Sequence, residues 1–182
     1  MLKRYLDLLV RFHDNRSSTP LKIISLTVGS LLFLFLLPGI FFSVALLTGL
    51  SFDIPRAVKT PLSLCATGTG LFFLCWATYA QLKIGGGSPA PTAPTEKLVI
   101  KGPYKYTRNP IQFGAAWYYL GFGMLAGTFY HGLVCMLLGQ LFGTLYHKYI
   151  EEKELLIRFG EEYDRYRQHT PFLFPRFINN IR

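Results

Sequence analysis

Three long uncharged stretches dominate the pattern of apolar and polar residues along the chain. No Asp, Glu, Lys or Arg occurs at positions 23–52, 60–82 or 109–146. A helix needs about 20 apolar residues to cross a bilayer, so the first two stretches each predict one spanning helix. The third is too long for a single crossing, because a helix rises about 1.5 Å per residue.

The third stretch is predicted to fold back on itself as a helical hairpin. Its middle reads "LAGTFYHG", with Gly127 and Gly132, and glycine favours a turn. The two predicted arms are residues 111–126 and 129–146, both short for a span, so tilt or local thinning of the bilayer is expected. The predicted fold class is an all-α integral membrane protein with four transmembrane helices.

Composition and charge agree with this class and give an orientation. Of 182 residues, 51% are hydrophobic, which excludes an ordinary soluble domain. Lys and Arg concentrate before residue 23, between 83 and 108, and after 146, whereas the first connection has only Arg56 and Lys59. Positive charge favours the cytoplasmic side, so we predict cytoplasmic N- and C-termini in a cell inner membrane or an endomembrane. The net charge of +9 then indicates contact with membrane lipids and not with nucleic acid.

The first sixteen residues, "MLKRYLDLLVRFHDNR", do not resemble a cleavable signal peptide, because they lack a long apolar core and a small-residue cleavage site. Leu2, Tyr5, Leu6, Leu9 and Phe12 recur at helical spacing with charges between them. This pattern predicts an interfacial N-terminal helix on the cytoplasmic surface.

The three cysteines, Cys65, Cys75 and Cys135, all lie in uncharged stretches. They lie far apart in sequence and lack the spacing of metal ligands. We interpret them as small core residues, with no metal site.

The loop between the second and third spans, "KIGGGSPAPTAPTEKLVIKGPYKYTRNP", contains a glycine run and several prolines, which prevent a continuous helix. "EKLVI" is predicted to form a short extended piece. A flexible linker is one interpretation, and Tyr104 and Tyr106 are also of the type that anchors proteins at membrane interfaces. A cluster of cations and tyrosines beside the membrane favours a functional loop.

The tail that follows the hairpin is predicted to be a cytoplasmic helix, a second amphipathic helix and a proline-bounded turn or strand. It begins with an acidic cluster, Glu151, Glu152 and Glu154. Such clusters are usually solvated faces. Carboxylates at a membrane exit otherwise rich in cations also suit a cationic or polyhydroxyl ligand, and both interpretations stay open.

"GPYKYTRNPIQFG" and, one hairpin later, "EEKELLIRFGEEYDRYRQHTPFLFP" together resemble the isoprenylcysteine carboxyl methyltransferase family and its phospholipid methyltransferase relatives. The family pattern is G-x-Y-x-x-x-R-H-P-x-Y, a membrane hairpin, an E-E pair, and F-G-x-x-Y-x-x-Y near a proline. The resemblance covers residues 85–178. It divides the chain into residues 1–84, with the interfacial helix and two spans, and residues 85–182, the methyltransferase core.

The resemblance implies an S-adenosylmethionine-dependent methyltransferase that acts at the cytoplasmic membrane face on a lipophilic or small hydrophobic acceptor. It implies no catalytic residue by itself, but it places cofactor contacts in the loop, at the start of the hairpin and on the first glutamate of the pair. These residues are Glu96, Lys97, Leu98, Val99, Tyr104, Asn109, Pro110, Ile111, Gln112 and Glu151. His147 falls where the prenylcysteine enzymes have a substrate-facing arginine.

Three positions depart from the family pattern. Asn109 replaces a histidine, and Gln112 replaces a frequent tyrosine. His147 cannot offer the bidentate fork with which arginine binds a carboxylate. We therefore expect a bacterial-type relative whose acceptor is another lipid or a small hydrophobic thiol, amine or carboxylate, with oligomeric state undetermined.

Two alternatives of other classes remain open at this point. Sterol-reductase-like membrane enzymes that use NADPH have a related C-terminal half, but usually have more than four spans. A non-catalytic membrane interaction protein would not need a loop and a tail paired in this way.

Overall fold

The computed structural model describes residues 19–89 and 94–176. This part of the chain is helical and contains no strand, which confirms the predicted all-α class. The predicted interfacial helix at residues 1–16 lies outside the described residues. "EKLVI" is irregular, with bends at Glu96 and Lys97, so the short extended piece does not pair into a sheet.

Six α-helices form the described structure. They are α1 (Thr19–Leu31), α2 (Leu37–Leu47), α3 (Arg56–Ala80), α4 (Pro110–Ala126), α5 (Phe129–Tyr146) and α6 (Glu152–His169). Three π-helical turns, at Leu32–Leu36, Gln81–Gly85 and His147–Glu151, continue α1 into α2, extend α3 and join α5 to α6. Gly102–Lys105 forms a short 3-10 helix.

Three of the described helices are long and apolar enough to cross a membrane: Leu26–Leu47, Arg56–Gly85 and Phe129–His169. In the last of these, only residues 129–146 are uncharged, so we treat α5 as the spanning part. The other arm of the hairpin, α4, has 17 residues, which is short for a bilayer of ordinary thickness. The number of four crossings stays a prediction.

The chain forms two compact units. Ser30–Cys75 and Ile111–Thr144 form one, here named the helix unit. Trp76–Pro110 and the chain from Leu145 onward belong to the other, here named the loop unit. Each unit combines segments from both sides of residue 85, so this division does not test the predicted functional boundary there.

The core of the helix unit is aromatic. Phe41, Tyr118 and Tyr119 are buried there with Leu74 and Cys135. The Tyr118 and Tyr119 hydroxyls donate hydrogen bonds of 2.9 Å to the carbonyls of Leu34 and Phe33 in a π-helical turn. A backbone carbonyl in a lipid environment must find a donor within the protein, and these two tyrosines supply it.

Glycine allows α3 and α4 to approach each other closely. A Cβ atom at Gly70 would lie 2.7 Å from Cα of Tyr118, and one at Gly121 would lie 2.8 Å from the Ser63 carbonyl oxygen. Both distances are shorter than a van der Waals contact. Small residues at helix contacts are typical of membrane proteins, where backbone packing replaces the hydrophobic effect.

The cysteine prediction is correct only in part. Cys135 is buried, whereas Cys65 and Cys75 are exposed on α3. A helix in lipid is apolar on all sides, so its sequence does not distinguish the face that packs in the core from the face that contacts lipid.

In the loop unit, residues 104–109 are hydrogen-bonded to residues 166–172. The Tyr166 hydroxyl donates to the Tyr104 carbonyl at 2.7 Å, and the Arg108 backbone N–H donates to the Pro171 carbonyl at 2.9 Å. The buried Thr107 hydroxyl lies 3.1 Å from the Phe172 carbonyl. Gly160, at a positive φ of 52°, kinks α6, where the sequence predicted the boundary between two tail helices.

Candidate functional site

Each glutamate of the acidic cluster has a different basic partner in the loop unit. Glu152 accepts from the Arg108 guanidinium at 2.6 Å, and Glu154 accepts from Arg158 at 2.9 Å. Glu151 contacts Nδ1 of His147. The cluster is therefore not a solvated face.

Burial separates Glu151 from the other two glutamates. Its side chain is 30% exposed, compared with 17% for Glu152 and 8% for Glu154. Its partner is a histidine, which can change protonation state, and not an arginine, which stays charged. Glu151 is the carboxylate of the three that a ligand can most easily reach. Glu154 is held by Arg158.

A π-helical turn positions the His147–Glu151 pair. These turns are rare and are often found at functional sites. Burial opposes charge on both side chains, but their mutual attraction outweighs it. The result is that the pKa of His147 is raised and the pKa of Glu151 is lowered. The pair is stabilised in its ionic form.

Tyr104 borders the same region. Its side chain is 7% exposed, and the 3-10 helix Gly102–Lys105 presents it. Burial, and then the negative charge of Glu151, raises the pKa of Tyr104 well above its ordinary value. The phenol stays neutral and keeps its proton as a hydrogen-bond donor.

Gln81 is a further polar residue of this region that the sequence did not indicate. It begins the π-helical turn Gln81–Gly85, and its side chain acts to lower the pKa of Tyr104, against the larger effect of burial. Its Oε1 atom is buried and has no hydrogen-bond donor among the described residues. A buried acceptor without a partner costs about 1–3 kcal/mol. The signal in the sequence was only one polar residue at the end of an uncharged stretch.

The loop segment that contains Glu96, Lys97, Leu98 and Val99 is anchored to Gly85 and to Arg158. The backbone N–H groups of Glu96 and Lys97 donate to the Gly85 carbonyl at 2.6 and 3.2 Å, and the Arg158 guanidinium donates to the Thr95 carbonyl. Val99 is buried against Gly85, where a Cβ atom would lie 2.8 Å from its methyl group. Glu96 and Lys97 are exposed, and Leu98 is half-buried.

Asn109 has a structural partner. Its amide Nδ2 donates to the Phe172 carbonyl at 2.8 Å, and its backbone N–H lies 3.3 Å from the Thr107 hydroxyl. Pro110, which is fully buried, begins α4. The side chain of Asn109 thus fixes the tail of the chain to the loop.

Ile111 and Gln112 belong to the helix unit. Ile111 packs against its aromatic core. Gln112 is buried. Its side-chain amide donates to the Gly139 carbonyl at 3.0 Å, and its backbone carbonyl accepts a hydrogen bond from the Gln140 side chain. These contacts hold α4 against α5. Of the predicted residues, the structure brings Tyr104, His147 and Glu151 to one region of the loop unit.

The described residues contain no group of His, Cys, Asp and Glu side chains able to hold a metal ion.

Comparison with known proteins identifies one family. Residues 58–162, more than half of the chain, match the model of a family described as phospholipid methyltransferase. Searches of curated proteins and of solved structures each gave no significant match. The matched region extends from α3 through the loop and the hairpin into α6, and so contains the His147–Glu151 pair, Tyr104 and Gln81.

This family includes the isoprenylcysteine carboxyl methyltransferases. It is a methyltransferase family, and the three membrane-length helices agree with an activity located in a membrane. The chain belongs to the phospholipid methyltransferase family.

Proposed function

We propose that the protein uses S-adenosylmethionine to methylate a lipophilic or small hydrophobic acceptor at the cytoplasmic face of the membrane. Family membership supports methyl transfer, and the three long apolar helices support a membrane location. The observation that carries the cofactor assignment is Glu151, a half-buried carboxylate whose partner is a histidine.

The residues of this region fit such a cofactor. S-adenosylmethionine supplies an activated methyl group on a sulfonium when it is bound. Its ribose hydroxyls and its ammonium group are hydrogen-bond donors that match the Glu151 carboxylate, and charge-assisted bonds of this kind are the strongest available to a neutral hydroxyl. The Tyr104 ring offers an aromatic face, which attracts cations.

The loop would keep the site closed to water. The backbone bonds from Glu96 and Lys97 to Gly85, and from Arg158 to Thr95, hold it in place. Residues 104–109 are fixed by the tail. A rigid, water-poor enclosure aligns reactants and strengthens the electrostatic contacts within it.

His147 is proposed to face the acceptor. Its Nδ1 atom is engaged with Glu151, so an acceptor would meet the other ring nitrogen, Nε2. A single nitrogen does not reproduce the two parallel bonds of an arginine to a carboxylate. This favours an acceptor other than a prenylcysteine carboxylate.

A thermal unfolding experiment on the detergent-solubilised protein tests the proposal. A ligand that binds only the folded state raises the unfolding temperature by mass action. S-adenosylmethionine and S-adenosylhomocysteine should both raise it, and NADPH should not. Stabilisation by NADPH alone would favour a reductase, and no response to any of the three would contradict the proposed cofactor.

A further inference from the structure

The helix that contains α5 stays apolar on its outward side beyond the end of α5. α5, its π-helical turn and α6 form one continuous helix, Phe129–His169. In its loop-unit part, Leu145, Tyr149, Leu156 and Ile157 are exposed, Ile157 by 60%. Because spacings of four and seven residues return to the same side of a helix, these four residues form one surface, here named the outer stripe.

The length of this helix sets the depth of the outer stripe. The helix begins beside a charged residue, since the Phe129 N–H donates to Asp53 at 3.1 Å, and this end therefore lies at a membrane surface. From Phe129 to Ile157 the helix is about 42 Å long at 1.5 Å per residue. A bilayer with both headgroup layers measures about 40–45 Å. The helix thus reaches the headgroup layer of the other surface within the outer stripe.

The charges that point outward beside the outer stripe are positive. Lys148 and Lys153 are exposed, whereas the glutamates of the same stretch are not, and each of these is paired with a basic side chain. On α6, exposed acids, Glu161 and Glu162, follow only after the kink at Gly160. Such a surface suits a bilayer with anionic headgroups, because lysine stems lie along apolar surface while their charges reach lipid phosphates.

The end of α3 shows the same pattern independently. Tyr79 and Ile84 are exposed there, and so is Lys83. All three belong to the loop unit. Tyr79 and Lys83 are four residues apart, as Tyr149 and Lys153 are. Tyrosine and lysine are residues that anchor spanning helices at the interface, so both helices leave the hydrocarbon core with the same surface chemistry.

We propose that the outer stripe, together with Lys148 and Lys153, binds the headgroup layer of a bilayer that contains anionic phospholipids. The apolar side chains contact the boundary of the acyl chains, and the two lysines contact lipid phosphates. A second copy of the chain suits this surface less well, because the contact would bring like charges together.

This contact fixes the depth of the candidate site. Glu151 lies between Tyr149 and Lys153 in the same helical stretch, so the outer stripe holds it at the level of the headgroups. A lipophilic acceptor carries its polar group at that level. The assignment rests on the proposed membrane location and not on methyl transfer, and its test needs no cofactor.

Nitroxide labels on the full chain in vesicles test the depth of the outer stripe. Single cysteines, Ile157→Cys or Glu162→Cys, are introduced after alanine has replaced Cys65, Cys75 and Cys135. In mixed vesicles of phosphatidylcholine and phosphatidylglycerol, oxygen, which concentrates in lipid, should relax the label at 157 more than a water-soluble nickel complex does. The label at 162 should show the reverse. Equal access of nickel to both labels would overturn the proposal. Spin–spin broadening at 157 would also overturn it, because it would place a second copy on the stripe.

Lys148→Gln combined with Lys153→Gln tests the role of charge in the same vesicles. The label at 157 should move toward water, because each lysine strengthens attachment to an anionic surface roughly fivefold. Arg165→Gln with Arg167→Gln is the matched control, since it removes the same charge from exposed positions beyond Gly160, and the label should keep its depth. The unfolding temperature shows that each variant is folded. An unchanged depth in the lysine variant would overturn the assignment of these lysines to anionic headgroups.

The outcomes separate the lipid contact from the proposed function. If S-adenosylhomocysteine binds but the label at 157 lies in water, the function stands and the lipid contact fails. If the label lies at the headgroups and S-adenosylhomocysteine does not bind, the lipid contact stands and the proposed cofactor fails.

Discussion

Different interactions stabilise the helix unit and the loop unit, each within itself. In the helix unit, glycines at positions 70 and 121 allow direct backbone contact, and tyrosine hydroxyls satisfy main-chain carbonyls. In the loop unit, three glutamates pair with His147, Arg108 and Arg158. Shape therefore stabilises the first unit, and charge organises the second.

The difference shows where ligand chemistry can be placed. A carboxylate buried against an arginine cannot turn to a ligand without a large cost in stability, because breaking the pair leaves an uncompensated charge. Glu151, with a titratable partner and greater exposure, is not committed in this way. The loop unit thus leaves the Glu151 carboxylate accessible to a ligand, whereas Glu152 and Glu154 are paired with arginines.

Arg158→Met should cause the largest loss of stability, because it removes contacts within the loop unit. It leaves the buried Glu154 carboxylate unpaired and removes the donor to the Thr95 carbonyl. Burial raises the pKa of Glu154, so an alkaline buffer favours the ionised carboxylate and suits the comparison. The free energy of unfolding in detergent, measured by denaturant titration, should fall by about 3–5 kcal/mol.

Arg167→Met is the control for this change. Arg167 also pairs with an acidic side chain, Asp164, but it is 42% exposed, and exposed pairs contribute less than about 1 kcal/mol. Equal stability of the two variants would show that the Glu154–Arg158 pair does not hold the loop unit together.

Gly70→Ala should cause the second largest loss of stability, because it disturbs the packing of the helix unit. The added methyl group would overlap the backbone of Tyr118, and overpacking of this kind costs about 1–3 kcal/mol. Gly68→Ala, two residues earlier on the same helix, places its methyl group where no atom lies within 4 Å. Thermal unfolding should separate the two, and a destabilised Gly68→Ala variant would contradict the close-packing account.

The smallest predicted effect is a pH dependence of the His147–Glu151 pair. The pKa of His147 is raised in the folded state. Its contribution to the free energy of unfolding is therefore complete below the pKa of the unfolded state, and it is lost as pH rises through the raised pKa of the folded state. The pKa of Glu151 is lowered in the folded state, so its contribution to the free energy of unfolding is lost only as pH falls through that lowered pKa. The pair therefore stabilises the fold between these two limits.

Comparison of the parent protein with His147→Gln from about pH 5 to about pH 9 checks this. The gap in unfolding free energy should be about 1 kcal/mol at the acidic end and should close toward the alkaline end. His169→Gln, at an exposed position, is the control. A gap that widens with pH would contradict the assigned direction.

The sequence predicted the hairpin closely, and the structure explains why. The predicted arms, 111–126 and 129–146, agree with Pro110–Ala126 and Phe129–Tyr146 to within one residue at each end. A helix in lipid must be uncharged and must break at a turn residue such as Gly127, and both signals are local.

The contacts of the candidate site were less accessible to prediction, because they depend on pairing between distant segments. Nothing near Asn109 in the sequence indicates that Phe172 will accept its amide proton. Similarly, nothing in the sequence near Gln81 indicates that its Oε1 atom is buried with no donor among the described residues. Glu151 was found because it belongs to a recognisable motif, whereas its pairing with His147 was not predicted and appears only in the structure.

The most direct test of the account is the binding of S-adenosylhomocysteine to Glu151→Gln. This change keeps the shape of the side chain and removes its charge. Because a charge-assisted hydrogen bond contributes about 1.5–3 kcal/mol, calorimetry should show an affinity roughly tenfold to a hundredfold weaker than that of the parent protein. Glu162→Gln, at an exposed position of α6, should bind as the parent does. If Glu151→Gln also binds with the affinity of the parent protein, Glu151 does not anchor the cofactor and the site lies elsewhere.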